Sequence, residues 1–248
     1  MTQQNPSSLD TRPKNYLGST FLFMGIFSTA TIVGILLILG MLTTFKIRWK
    51  IGYIWCSIIS WLTKVFCGLT YEVEGLDNVA SNKAVVYLSN HQSAWETLAL
   101  RKILPPHSVV VKRELLYLPI WGWALLTLKT IVINRKNQRG ALKALLQQGS
   151  RYLNGGLSVL IFPEGTRVAV DDVVKFNVGG AMLAQKAGYP IIPVAHNAGH
   201  YWPRYSFIKY PGVIKIKIGP VIETVGRKPA DINAEAEIWI RQALKEMK

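Results

Sequence analysis

Residues Asn15 to Phe45 carry no charged side chain, a run of 31. Crossing a bilayer takes about 20 apolar residues, and "STFLFMGIFSTATIVGILLILGMLTTF" meets that easily. The run is too long for the core of a signal peptide, and no A-x-A cleavage site follows it, so it is expected to be retained. Lys46, Arg48 and Lys50 come directly after it. Under the positive-inside rule they place this end in the cytoplasm. A second apolar stretch is uninterrupted only from Ile51 to Thr63, 13 residues. That is short for a span. It suits an interfacial helix with Tyr53, Trp55 and Trp61 at headgroup depth, the alternative being a core helix of the next domain. The chain thus divides into a loose tail (1–14), an anchor (15–70) of one spanning or re-entrant helix plus an interfacial helix, and a domain (71–248).

Beyond Tyr71 the hydrophobic period switches repeatedly. Strands are expected at Tyr71–Val73, Ala84–Leu88, Ser108–Val111, Ile131–Ile133, Ser158–Phe162, Ile191–Val194 and Val213–Ile218. Helices are expected at Trp95–Ile103, Ile120–Leu128, Gln138–Leu153, Val178–Ala187 and Ile232–Glu246. This alternation argues for an α/β layered domain. Several functions drop out for want of their motifs: there is no G-x-x-x-x-G-K-[ST], no G-x-G-x-x-G after a strand and no G-x-S-x-G. The formal net charge of +15 calls for an anionic partner. No nucleic-acid motif is present, which leaves a phospholipid surface or an acidic carrier. Lys215 and Lys217 share one strand face that either lines such a surface or is simply solvated. Cys56 and Cys67 lack metal-ligand spacing and read as small buried hydrophobes. His196 and His200 are four apart, but Pro193 and Gly199 favour a loop, so no metal site is expected. Asn197 and Trp202 are read instead as a wall of the functional site.

Two polar turns interrupt the apolar middle. In "SNHQSAWETLAL" (Ser89 to Leu100) a strand runs into a helix. Ser93 and Glu96 fit the S-x-x-E capping box, in which each side chain bonds the other's amide. The same geometry lets Glu96 reach one nitrogen of His91 and leave the other free as a base. The two readings are compatible if Glu96 is shared. Asn90 holds the loop or donates to a ligand. In "VLIFPEGTR" (Val159 to Arg167) a second buried strand enters a turn shaped by Pro163 and Gly165, with Glu164, Thr166 and Arg167 supplying an acid, a hydroxyl and a guanidinium. Arginine's planar fork suits phosphate. Read alone, that turn is equally an ordinary loop with a surface arginine.

Together the turns carry a family resemblance. "NHQSAWE" resembles the N-H-x-x-x-x-[DE] block of the glycerolipid acyltransferases of the 1-acylglycerol-3-phosphate acyltransferase type, and "FPEGTR" is similar to their third block. "VKRELLYLPIWGWALLTLKTIVINR" resembles the second through Lys112, Glu114, Leu115, Pro119, Gly122 and Arg135. "YPIIPVA" resembles the fourth through Ile192, Pro193 and Val194. Order and spacing agree from Tyr71 to about Gly219. There are two departures: Glu96 stands where Asp is commoner, and Lys129 where the family usually has glycine.

The resemblance implies a layered domain with a mixed sheet flanked by helices. It implies an enzyme that moves a fatty acyl group from acyl-CoA or acyl carrier protein to the sn-2 hydroxyl of lysophosphatidic acid, without cofactor or metal. In that reaction His91 is the base and Glu96 its orienter, while Arg167 and Lys112 bind the acceptor's phosphate. Gly165 or a neighbour would offer an amide to the oxyanion, Thr166 would line the site, and Glu164 would bond acceptor or loop. Arg135 would serve phosphate or structure. The expected location is the cytoplasmic face of a bacterial inner membrane. The rivals are a different acceptor (glycerol 3-phosphate or a lyso-ornithine lipid), a membrane ester hydrolase, and a non-catalytic membrane adaptor.

Overall fold

All seven apolar runs are strands, and they lie in one sheet. The computed structural model describes residues 14–79 and 83–247. The tail expected over 1–14 therefore falls, but for Lys14, outside the described residues. In chain order the elements are α1 (Tyr16–Leu39), α2 (Phe45–Cys67), β1 (Leu69–Glu74), β2 (Val86–Ser89), α3 (Trp95–Ile103), β3 (His107–Lys112), α4 (Trp121–Thr127), β4 (Ile131–Ile133), α5 (Gln138–Asn154), β5 (Ser158–Ile161), α6 (Gly179–Ala187), β6 (Ile191–His196), β7 (Gly212–Ile218) and α7 (Pro229–Glu246). The strand order is β1-β7-β6-β2-β5-β3-β4. Only β6 and β7 pair antiparallel, so the sheet is mixed.

Every residue of the central strands β2 and β5 is buried. Helices cover both faces of these strands, which is why they read as unbroken apolar runs rather than as alternations. Successive side chains go to opposite faces. Val86, Leu88, Val159 and Ile161 pack with Leu145, Leu153, Leu183 and Ile240 of α5, α6 and α7. Tyr87 and Leu160 pack with Trp95, Ala99 and Leu100 of α3, Leu22 of α1, and Cys67. The chain leaves β2 through α3 on one face and leaves the neighbouring β5 through α6 on the other. Connections that diverge this way open a crevice at the carboxyl ends of the two strands.

Asn15 starts α1 by accepting the Gly18 amide at 2.7 Å, and it ties down the end of α2 by donating to the Phe66 carbonyl at 2.7 Å. The 24 residues of α1 extend about 36 Å, longer than the ~30 Å bilayer hydrocarbon. Tyr16–Leu42 is apolar enough to cross a membrane. Phe21, Phe23, Phe27, Ile32, Leu36 and Leu39 point outward and are exposed. Even so, α1 is fastened to the domain at both ends. Lys209 N donates to Ser19 Oγ at 3.0 Å, Phe27 meets the Trp121 ring edge-on at 4.9 Å, and Leu37 packs with Ala124 and Leu128.

The interfacial helix expected at Ile51–Thr63 is longer, running from Phe45 to Cys67. Charges that interrupt a lipid-compatible run do not interrupt a helix: Arg48 turns its Nε to the Thr127 carbonyl at 2.9 Å. One face of α2 (Trp49, Gly52, Cys56, Ile59, Thr63, Cys67) is buried in the protein. The opposite face exposes Ile47, Tyr53, Ile54, Ile58, Trp61 and Val65. The buried face fits the core-helix reading, and the apolar exposed face is the one that the interfacial reading concerns.

Lys129 occupies the glycine place with φ +56°. Its carbonyl accepts Ser108 Oγ at 2.5 Å and its ammonium lies 4.6 Å over the Phe45 ring. The turn therefore forms in the left-handed region despite the side chain. The basic strand face is corrected. In the parallel β1–β7 register Glu72 stands beside Lys215 and Glu74 beside Lys217, and Lys217 Nζ bonds Glu246 at 2.9 Å. Lys217 is thus paired with acids, while Lys215 is exposed beside Glu72, which is the solvated-face alternative.

Candidate active site

β2 and β5 are neighbours in register, Leu88 beside Ile161. The two polar turns that leave them, 73 residues apart in the chain, therefore meet, and two hydrogen bonds staple them. His91 N donates to Glu164 Oε1 at 3.2 Å, and Val168 N donates to the His91 carbonyl at 2.7 Å.

The His91 ring is held on two sides and open on a third. Its Nδ1 lies 2.6 Å from Glu96 Oε1. Phe162, the first residue past β5, stacks on it at 4.3 Å and 20°. The third side faces a cavity, where the side chain keeps 13% exposure. Oε1 of Glu96 also takes the Gln92 amide at 3.1 Å and the Ser93 amide at 2.9 Å. The capping box is half formed, because Ser93 Oγ accepts from Trp95 N rather than from Glu96 N. Glu96 thus serves cap and histidine with one oxygen. Burial pushes its carboxyl up, but the nearby imidazoles, the His91 bond and the Ser93 amide outweigh that and hold it below the usual carboxylate range. An ionised Glu96 accepts the proton on Nδ1. Nε2 makes no hydrogen bond among the described residues and is free to act as a base.

Behind this pair sits His196, fully buried. Its Nε2 donates to the Asn90 carbonyl at 2.8 Å while Nδ1 accepts from Ala198 N at 3.4 Å. Burial pushes its pKa down and keeps the ring neutral. Of the two readings of Asn90, the bonds favour the loop. Its carboxamide donates to the His196 carbonyl at 2.9 Å and accepts the His196 amide at 3.0 Å, so it holds the loop and does not line the cavity.

The cavity is about 1050 Å³ and runs around the carboxyl edge of the sheet. Leu142, Leu145 and Gly180 line it on one face, and Val33, Leu37, Cys56, Leu125 and Leu128 on the other. His91, Lys112, Arg135, Gly165, Thr166 and Arg167 are part of the same wall. Lys112 comes from the end of β3, Arg135 from just past β4 and Arg167 from the turn after β5. None of these three side chains makes a hydrogen bond or ion pair among the described residues. Three unpaired cations beside an apolar cavity form an anion site with room for alkyl chains.

Gly165 has φ +71°, which accounts for its place in the turn. Its amide is spent on the Phe162 carbonyl at 3.0 Å. The donors of this turn that make no hydrogen bond among the described residues are the amides of Thr166 and Arg167, so of the two expectations, Gly165 or a neighbour, the geometry leaves the neighbours. Glu164 bonds the loop, not the cavity. Burial lifts its carboxyl to about 7, and Oε2 has no partner among the described residues. Asn197 and Trp202 are not a wall of the site. Asn197 bonds Lys215 N and the Met247 carbonyl, and Trp202 packs in the core. Sequence reasoning missed Phe162, read only as the end of a strand. An aromatic opening the second polar turn was its signal. It also missed Tyr205, a cavity-lining residue at φ +59° that no pattern marks.

Comparison with known proteins gives the family. The acyltransferase family model matches residues 70–197. A 1-acyl-sn-glycerol-3-phosphate acyltransferase of Pseudomonas aeruginosa is 48% identical over 196 residues, covering 78% of this chain and 76% of that one. The human 1-acyl-sn-glycerol-3-phosphate acyltransferase beta is 33% identical over 184 residues, 72% of this chain and 66% of its own. The crystal structure of the 1-acyl-sn-glycerophosphate acyltransferase PlsC from Thermotoga maritima superposes with a TM-score of 0.78 at 21% identity, over 94% of this chain and 95% of that chain, a likeness of fold. The chain belongs to the acyltransferase family.

Proposed function

We propose that this enzyme transfers a fatty acyl group from acyl-CoA or acyl carrier protein to the sn-2 hydroxyl of 1-acylglycerol 3-phosphate, giving phosphatidic acid. One observation carries the reading: an imidazole with Nδ1 clamped by a buried carboxylate and Nε2 free, in the wall of one cavity with Lys112 and Arg167. The relatives' names supply the substrate.

His91 Nε2 takes the proton from the acceptor hydroxyl as its oxygen attacks the thioester carbonyl. Glu96 stabilises the imidazolium so formed. The tetrahedral intermediate collapses, the carbon–sulfur bond breaks, and the leaving thiolate takes the proton back from His91. This is serine-hydrolase logic with the substrate alcohol in the place of serine. Such a base contributes about 10²–10⁴-fold. The amides of Thr166 and Arg167 serve the oxyanion. Arg167 and Lys112 hold the phosphate, with Arg135 at the rim. The α1–α2 pair enters one leaflet, because α1 touches the domain at both ends and a span would break one set of those contacts. The domain then lies on the cytoplasmic face, where donor and lipid acceptor meet.

The test is a matrix of acceptors and donors with purified protein. Lysophosphatidic acid is expected to be used in preference to glycerol 3-phosphate and to lyso-ornithine lipid. Arg167→Ala should raise its KM about tenfold to a hundredfold, the worth of charge-assisted hydrogen bonds, with a smaller change in kcat. Free fatty acid as the main product would make the protein a hydrolase instead.

A further inference from the structure

α3 carries a cation that the reaction above does not use. Arg101 is 8% exposed, and its side chain makes no hydrogen bond or ion pair among the described residues. Its guanidinium carbon lies 4.6 Å over the centre of the Trp49 ring, and the neutral neighbours that feel its charge are the Cys56 thiol and the buried His107 imidazole, neither of them a counter-ion. Nη1 is fully buried and unpartnered. Burial pushes the group's pKa down, yet a guanidinium stays protonated in a protein. Taking such a charge out of water with no counter-ion is costly. Nothing in the fold repays the cost, and an aliphatic residue would pack the same space without it.

Arg101 also lines the cavity that holds His91. Gly52 of α2 lies beside the fork: a Cβ there would stand at ordinary contact distance, 3.7 Å from Arg101 Cδ and 3.9 Å from Nη1. Around it the wall is Val33, Leu37, Cys56 and Leu128. A lone guanidinium on an apolar wall matches a single negative charge, planar and oxygen-bearing, on an alkyl chain. A phosphate would bring a second charge that nothing here meets. The cations suited to phosphate, Lys112, Arg135 and Arg167, are separate from it on the strand-end turns.

We propose that Arg101 is a carboxylate-binding site: a fatty-acid anion docks its carboxylate on the Arg101 fork and lays its alkyl chain along the cavity toward His91. Two parallel N–H···O bonds would satisfy the buried donors that the folded chain leaves unmade. The bound anion fills apolar space that, on the acyl-transfer reading, an acyl chain needs. Free fatty acid is then a competitive inhibitor against the thioester. Only that last consequence rests on the proposed reaction; the binding itself does not.

The experiment is calorimetric titration of the full chain in detergent with decanoate and with decanol, on wild type, Arg101→Gln and Arg101→Met. Decanoate should bind wild type at least about tenfold more tightly than either variant, while decanol binds all three alike. Equal decanoate affinities, or a loss for decanol as large as for decanoate, would overturn the site. Melting curves without ligand guard against a structural explanation. Arg101→Met should melt at or above the wild-type temperature, because it removes an unpaired buried charge. A fall of several degrees would mean that the guanidinium holds the fold, which contradicts the proposal. Inhibition of acyl transfer by decanoate is read separately. Loss of inhibition with binding intact would count against the reaction mechanism, not against the carboxylate site.

Discussion

At the scale of the residue, one glutamate oxygen does three jobs. Oε1 of Glu96 takes the ring of His91 and the amides of Gln92 and Ser93. Glu96→Gln keeps the volume but presents an amide with no charge to stabilise an imidazolium. On the proposed mechanism kcat should fall about 10²–10⁴-fold, with the circular dichroism spectrum unchanged. Glu164 is the second instance. Its folded pKa, about 7, lies above the ordinary 4.5. The folded state therefore binds the proton more tightly than the unfolded state, so this group's contribution is full below pH 4.5 and is lost as pH rises through 7. Glu164→Gln cannot ionise. Its melting temperature should climb relative to wild type across that window, and a constant offset would contradict the assignment. These roles were partly visible in advance. The S-x-x-E spacing left cap and orienter open because it fits both, and here both operate. The task of Asn90 was hidden, since its partner His196 lies 106 residues away.

At the scale of the element, the runs of branched apolar residues gave away all seven strands, and the 3.6-residue period gave away the helices. Burial decides both patterns, and burial is written locally. The order of the strands is not, because pairing is a contact between distant segments. Nothing in "AVVYL" says that its neighbour is "SVLIF", and so nothing local says that the two polar turns meet. The turn at Lys129 tests how strictly backbone geometry binds the sequence. At φ +56° a Cβ is strained, whereas glycine is not. Lys129→Gly should therefore be more stable than Lys129→Ala by about 1 kcal/mol in chemical denaturation, the reverse of the order at an ordinary position. The second block's Gly122 is bound more tightly. A Cβ there would lie 2.3 Å from the Leu115 carbonyl oxygen, which is backbone and cannot swing away. Gly122→Ala should cost about 2 kcal/mol or more.

At the scale of the whole molecule, the amino-terminal pair has two unlike faces. Its inner face closes one side of the cavity through Ala30, Val33, Gly34, Leu37, Gly52 and Cys56. Its outer face offers aromatic and aliphatic side chains in a band, Phe21, Phe27, Tyr53 and Trp61 among them. Sequence reasoning took the first apolar run for a membrane segment and set lipid against core only for the second, because a hydropathy count does not resolve the two sides of one helix. If the pair enters a single leaflet, an epitope placed ahead of Lys14 stays on the same side as the domain. Protease applied to sealed inverted vesicles should then remove both together, whereas a protected epitope would mean that α1 spans.

The central claim is that His91, in a cavity shared with the cations of the strand-end turns, is the base for acyl transfer. The most direct measurement is formation of labelled phosphatidic acid from lysophosphatidic acid and an acyl thioester by wild type and His91→Ala, after matched melting curves show both folded. The prediction is steady product from wild type and a rate at least about a hundredfold lower from the variant. Product at an undiminished rate from His91→Ala would contradict the account.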